Sequence, residues 1–244
     1  MCNAFSASIP SHRYKLSFCL AAAYFSYKRS EHTAMGSSSR LLPVSAVRSR
    51  QSAPGQLELG LLEDAIAIRD LLVSEIGRQT PTLRLVAEMG VTHGAGRIDL
   101  AAIGDDLEGY EIKADRDDLT RLPGQVELYG AVFGRLTLVA APRHIGKATQ
   151  LLPPWWGICV VDGEEGRLTT LRSPAPNPSR DPLAIARLLW RDEVAAALRE
   201  RTGRASRSPR LVLWRELVER VPEVELRALV CESLRQRSDW LAAC

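Results

Sequence analysis

From Leu61 to Ile76 the apolar side chains recur at Leu61, Ala65, Ile68, Leu72 and Ile76. That helical rhythm predicts a helix over about 60–77, closed by Gly77 and the Thr80-Pro81 pair. The period then shortens. TLRLVAEMGV predicts a strand over about 83–90, GRIDLAAIG a second at 97–103 and EGYEIKA a third at 108–114, with Gly104-Asp105-Asp106 as turn chemistry between the last two. A helix falls within 117–134, with Pro123 near its N-terminus or at a kink. RLTLVAAP predicts a strand at 135–141, followed by a short helix near 145–151 and the strand WGICVVD at 156–162. Ser173 to Pro182 is rich in proline and predicts a linker. Beyond it the pattern is helical again. PLAIARLLWRDEVAAALRER predicts one amphipathic helix, and SPRLVLWRELVERV and PEVELRALVCESLRQR two more, the last opening with Pro222 at a favourable first position.

The order is α-β-β-β-α-β-(α)-β, then helices. Hairpin turns join antiparallel strands and helical crossovers join parallel ones, so the expected fold class is α/β with a mixed sheet plus a C-terminal helical region. The expected organisation is a leader at 1–55, an α/β core at 56–172, a linker at 173–182 and the helical region at 183–244.

Charge alters the picture only at the N-terminus. The chain carries a net charge of +3. Residues 1–50 hold seven basic residues and Glu31 as their one acid, which leaves the rest of the chain at a net −3. The basic balance belongs to the leader, so an anion site in the body must come from local clustering. The leader is Ser-rich. Its stretch Leu16 to Phe25 resembles a signal-peptide core but is interrupted by Ser17, and the expectation is a disordered leader or sequence upstream of a start at Met35. Five scattered cysteines without a C-x-x-C pair point to a reducing, cytoplasmic setting rather than a zinc site or disulfide scaffold. No apolar run reaches the roughly 18–20 residues of a membrane span.

Two strands carry charges that a buried strand does not need. Asp99 interrupts the second, and Glu111 and Lys113 stand two apart in the third, on one face because side chains alternate along a strand. Whether Asp99 joins them depends on register. An even loop pairs it with Ile112 on the wrong face; an odd loop of three or five residues, or a bulge, sets it opposite Glu111 or Lys113. If they converge, two carboxylates that repel each other suit a hard cation, Mg²⁺ or Mn²⁺, whose water becomes more acidic. Lys113 would then orient that water or stabilise charge on a phosphate. The plainer alternative is an exposed cross-strand ion pair worth a few tenths of a kcal/mol, about the surface value. Gln125 and Tyr129, four apart on the following helix, share a face. Tyr129 also fits an apolar stripe with Leu122, Val126 and Phe133, whereas Gln125 does not. Glu88, near the end of the first strand, is a third candidate carboxylate for a metal. Glu63 and Asp64 are weaker ones, and His93 reads as a loop residue.

The ordered set of strand, Asp99, strand and Glu111-x-Lys113 resembles the PD-(D/E)XK, or restriction-endonuclease-like, nuclease superfamily, with Ile98-Asp99 where its name has Pro-Asp. Gln125-x₃-Tyr129 looks like the Q-x₃-Y element of the RecB-type branch. HGAGRIDLAAI, GYEIKADRDDLTRLPGQVELY, PPWWGICVV and ARLLWRDE together resemble a bacterial family of small uncharacterised members of that superfamily, over about 60–240. The resemblance implies an αβββαβ core and a Mg²⁺-dependent nuclease; the expected partner is nucleic acid, DNA ahead of RNA, with the sequence itself giving no handle on the choice. It implies Asp99 and Glu111 as metal ligands, Lys113 as the water-positioning base or charge stabiliser, and Gln125 and Tyr129 in support. One departure is Ala67, before Ile68-Arg69, where that family's first helix carries a glutamate.

Arg116 and Arg121 lie in the matching stretch, and Arg204 and Arg207 in the arginine-rich RERTGRASRSPR. All four are candidate phosphate contacts, with loop salt bridges or a solvated loop as the alternative. Trp155, Trp156, Trp190 and Trp214 read as packing residues. The competing functions are a metal-dependent nuclease and a catalytically weak nucleic-acid-binding or scaffold protein with the same fold. The sequence does not define an oligomeric state.

Overall fold

The computed structural model describes residues 60–237. The leader, Met35, Cys2, Cys19 and Cys244 lie outside the described residues. Helix α1 (Ala65–Gln79) begins later than its apolar rhythm because Asp64 stops the preceding helical turn: its Oδ1 accepts from the Ile66 N–H at 2.8 Å. Gly77 does not end the helix. Thr80 does, with its N–H on the Ile76 carbonyl at 2.8 Å. Strands β1 (Arg84–Val91), β2 (Gly96–Ile103) and β3 (Leu107–Lys113) follow, the first two separated by a 3-10 turn at Thr92–Gly94. Helix α2 (Leu122–Gly130) is shorter than the expected span and has Pro123 in its first turn, where no N–H is needed. Next come β4 (Arg135–Ala140), α3 (Pro142–Leu151), β5 (Gly157–Asp162) and β6 (Arg167–Arg172).

Strand β6 was not foreseen. Its residues are mostly exposed and carry little apolar pattern, but the turn Gly163–Gly166 before it, with Gly166 at φ 59°, is hairpin chemistry. The six strands form one mixed sheet in the order β1-β2-β3-β4-β5-β6, parallel only in the β3–β4 and β4–β5 pairs.

Two apolar layers flank this sheet. On one face α1 places Ile68 and Leu72 against Leu100, Ile112, Val139 and Val161. Burial of each such side chain contributes about 1.5–3 kcal/mol. The other face carries the larger core, from Val86, Ile98 and Leu107 through Tyr129, Phe133 and Leu136 to the C-terminal helices. The segment 173–182 is tied down along its length. Asn177 Nδ2 donates to the carbonyls of Gly130 and Phe133 at 2.6 and 2.8 Å, and Arg180 pairs with Asp106 at 2.7 Å.

The single helix expected after that segment is two, α4 (Pro182–Ala186) and α5 (Arg191–Thr202). The break has a local cause. Glu193 Oε2 caps the Trp190 N–H at 2.7 Å, while Arg237 donates to Glu193 at 2.7 Å and to the Leu188 carbonyl at 2.7 Å. The Arg237 guanidinium also lies 4.2 Å from the centre of the Trp190 ring. Helices α6 (Arg210–Arg220) and α7 (Glu223–Gln236) complete the bundle, with Pro222 as the N-cap of α7. Among the described residues, no helix is long and apolar enough to cross a membrane.

Candidate metal-binding site

The loop between β2 and β3 decides the site. It has three residues, Gly104–Asp106, and Ile103 pairs with Leu107. The register continues through Leu100 opposite Tyr110, which sets Asp99 level with Glu111. The loop is therefore odd, as convergence requires. Past Leu100 the ladder ends and the Asp99 side chain takes its place, Oδ2 accepting from the Ile112 N–H at 2.7 Å.

A matched irregularity sets this geometry. On β1 the core-facing residues are Val86, then Met89 and Val91; on β2 they are Ile98, then Ala101 and Ile103. Each strand changes phase once, at Glu88 and at Asp99, which face each other. The register on both sides is unchanged, with Ala87 opposite Leu100 and Met89 opposite Ile98. Glu88 has φ 53°, a left-handed conformation that costs a non-glycine residue on the order of 1 kcal/mol.

Glu111 and Lys113 are 2% and 3% exposed and form an ion pair, Nζ to Oε1 at 2.8 Å. Gln125, reaching in from α2, donates Nε2 to the same oxygen at 2.6 Å. Tyr129 Oη donates to the Arg97 carbonyl at 2.7 Å and packs edge-on against Phe133, so it serves the site and the core together. Gly96 lies under the Leu128 side chain of α2, and a β-carbon there would press on the Leu128 methyl end and displace it. Beyond Lys113, the Ala114 N–H donates to Asp117 Oδ2 at 2.8 Å and the Ala114 carbonyl meets His144 Nε2 at 2.9 Å, which fixes the end of β3. His144 lies on a different element, and nothing in the sequence pattern marked it.

The electrostatics follow from burial. Asp99 is pushed up to about 7, first by desolvation and then by the Glu111 and Glu88 charges, against the Ile112 N–H and Lys113. Glu111 is also raised, by desolvation above all, against Lys113 and Gln125. Four buried side-chain polar atoms lack a partner among the described residues, and two of them are here: Glu111 Oε2 and Gln125 Oε1. Both are acceptors. An unmet carboxylate oxygen beside a second carboxylate is the donor set of a hard cation, so the residues fit Mg²⁺ or Mn²⁺. The protein would contribute two carboxylates; no cluster of three or more His, Cys, Asp or Glu suited to a metal occurs among the described residues. Mg²⁺ keeps several waters and needs only one or two carboxylates besides substrate oxygens.

The other candidates are placed differently. Glu88 lies across from Asp99, but its carboxylate is occupied by Arg69 at 3.1 Å and Arg97 at 2.6 Å. Glu63 pairs with Arg116, and Asp64 caps α1. Arg121 is exposed at the start of α2, and Arg204 and Arg207 are exposed in the loop joining α5 to α6. No contact brings those three to Asp99 or Glu111. Arg69 and Arg97, next to the site, were not singled out in the sequence. The Val86–Met89–Val91 spacing, three then two, was the available sign that β1 bends beside them.

The family described as Bacteriophage P4 protein cII matches residues 64–241. Protein cII of Enterobacteria phage P4 is 35% identical to this chain over 66 residues, 27% of this chain and 25% of that protein. The match thus spans a quarter of the relative's length. No solved structure matches.

Proposed function

The chain belongs to the bacteriophage P4 protein cII family; from the geometry of its buried carboxylates and lysine we propose that the site is that of a divalent-metal-dependent nuclease on a restriction-endonuclease-like core, acting on DNA in the cytoplasm. The observation that carries the reading is the buried Glu111–Lys113 pair with Glu111 Oε2 unmet and Asp99 level with it. A buried ion pair is commonly no more stabilising than a hydrophobic pair of the same size, so folding alone does not call for one here.

Asp99 and Glu111 would hold the metal, which when bound supplies positive charge to a phosphate and acidifies a water. The residues of the chain do the rest. Gln125 fixes the Glu111 carboxylate through Nε2, which leaves Oε2 free to turn toward the site. Lys113 uses one N–H on Glu111 and has others to orient an attacking water or to meet charge developing on a phosphate oxygen. Tyr129 locks α2 to β2 through the Arg97 carbonyl, which keeps Gln125 in reach.

A second reading, nucleic-acid binding with little cleavage, is favoured by two observations. Ala67 offers no carboxylate from α1, and Glu88 is held by two arginines. Plasmid cleavage with Mg²⁺ or Mn²⁺ separates the two. The wild type is expected to nick DNA, and Asp99→Ala and Lys113→Ala to lose about 10²-fold or more, the size of a general acid–base contribution. Equal cleavage by all three proteins refutes the assignment; binding by all three without cleavage selects the second reading.

A further inference from the structure

Two guanidinium groups converge on one carboxylate at the margin of the site. Arg97 Nε lies 2.6 Å from Glu88 Oε2, and Arg69 Nη1 lies 3.1 Å from Oε1. The carboxylate is 42% exposed and the Arg97 side chain 68% exposed, so the cluster opens to solvent. It carries a net charge of +1. Glu88 reaches it from left-handed backbone directly across from Asp99, and Arg97 is two residues from Asp99 along β2. The Arg97 backbone is itself fixed by Tyr129. A partly exposed ion pair is worth only about 0–1 kcal/mol, so a stronger anion can displace Glu88 at little cost. Guanidinium forks match phosphate oxygens in the same way that they match carboxylate oxygens.

We infer that Arg69 and Arg97 grip a backbone phosphate of the nucleic-acid substrate beside the proposed metal site, and that Glu88 occupies them until that phosphate arrives. The inference rests on the nucleic-acid part of the function proposed above. Glu88 then acts as an internal competitor, and the strain at its backbone keeps its carboxylate within reach of both arginines.

The test measures binding of short DNA and RNA duplexes by anisotropy across a salt series, with Ca²⁺ replacing Mg²⁺, and plasmid cleavage in parallel. Glu88→Gln is expected to tighten binding by about three- to tenfold. Arg97→Gln and Arg69→Gln are expected to weaken it and to lower the salt slope by about one each. Arg97→Lys is expected to keep the slope while losing affinity, which separates charge from fork geometry. Glu88→Gln is expected to change nothing once both arginines are replaced. Circular dichroism checks that each variant folds. Tighter binding of RNA than of DNA would keep the grip and reassign the substrate. Unchanged or weakened binding in Glu88→Gln overturns the inference while leaving the nuclease reading intact if cleavage persists. The expected binding changes without any cleavage uphold the grip and overturn the nuclease reading. If the wild type neither binds nor cleaves, both fall.

Discussion

Asp99 and Lys113 hold opposite positions in the energetics of one small site. The Asp99 carboxyl is raised by burial and by Glu111 from its ordinary 3.8 to about 7. A raised carboxyl binds its proton more tightly in the folded chain than in the unfolded one, so metal-free stability falls as pH rises from about 4 through 7. Asp99→Asn keeps an acceptor for the Ile112 N–H but cannot ionise. We expect it to flatten that decline and to raise metal-free stability at pH 8 by on the order of 2 kcal/mol, read from urea titrations at pH 5 and 8. Added Mg²⁺ should stabilise the wild type and not the variant. Lys113→Met removes the cation that, among the described residues, is bonded to Glu111, which is 2% exposed. It should cost about 3 kcal/mol, whereas the double variant Lys113→Met/Glu111→Leu should recover most of that loss. A double variant as unstable as the single one would show that Glu111 is not the stranded charge.

At the scale of elements, the site depends on a three-residue turn, a matched phase change in two strands and the close approach of one helix. Gly96 and Gly124 test the last of these from opposite sides. A β-carbon at Gly96 meets Leu128 and Tyr129, while one at Gly124 meets nothing within 4 Å. Gly96→Val should push α2 away from β2, cost about 1–3 kcal/mol and reduce any cleavage through Gln125. Gly124→Ala should stabilise by about 0.5–1 kcal/mol and leave the site unchanged. Thermal unfolding of the pair gives both signs in one experiment. These elements were legible to different degrees. The first five strands were readable because each combines an apolar run with turn residues at its ends, and the sequence makes an odd loop the condition for Asp99 to meet Glu111. β6 went unread because its residues face water, and the break at Trp190 because its local cap, Glu193, is held in place by Arg237, 44 residues away in sequence.

At the scale of the molecule, sheet and C-terminal helices share one core, and part-buried arginine links join them, while Arg237 ties the helical region to itself. Arg84 donates to the carbonyls of Arg235 and Arg237, Arg235 donates to the Gly104 carbonyl at 2.6 Å, and Arg237 closes on Glu193 and Leu188. The Arg84 and Arg235 links meet the sheet at its hairpin-turn end, about 14 to 17 Å from Asp99 at the usual strand rise. Arg237→Ala leaves Glu193, 12% exposed, without that partner. It should cost about 3 kcal/mol yet keep a single unfolding transition, because the apolar core is continuous; two resolved transitions would contradict that. If the proposed nuclease activity is present, it should persist in this variant wherever the protein is folded.

The sequence by itself determined the alternation of strands and helices, the mixed sheet, and the placing of Glu111 and Lys113 on one face, because these follow from the two-residue and 3.6-residue periods of local structure. It also marked Gln125, which shares a face with Tyr129 but has no place in the apolar stripe of that helix. Only the tertiary structure decided that Asp99 stands level with Glu111, that an acceptor oxygen of Glu111 is left unmet, and that Arg69 and Arg97 hold Glu88 beside them. Register, burial and ion pairing are properties of segments brought together from distant positions, and no local period carries them.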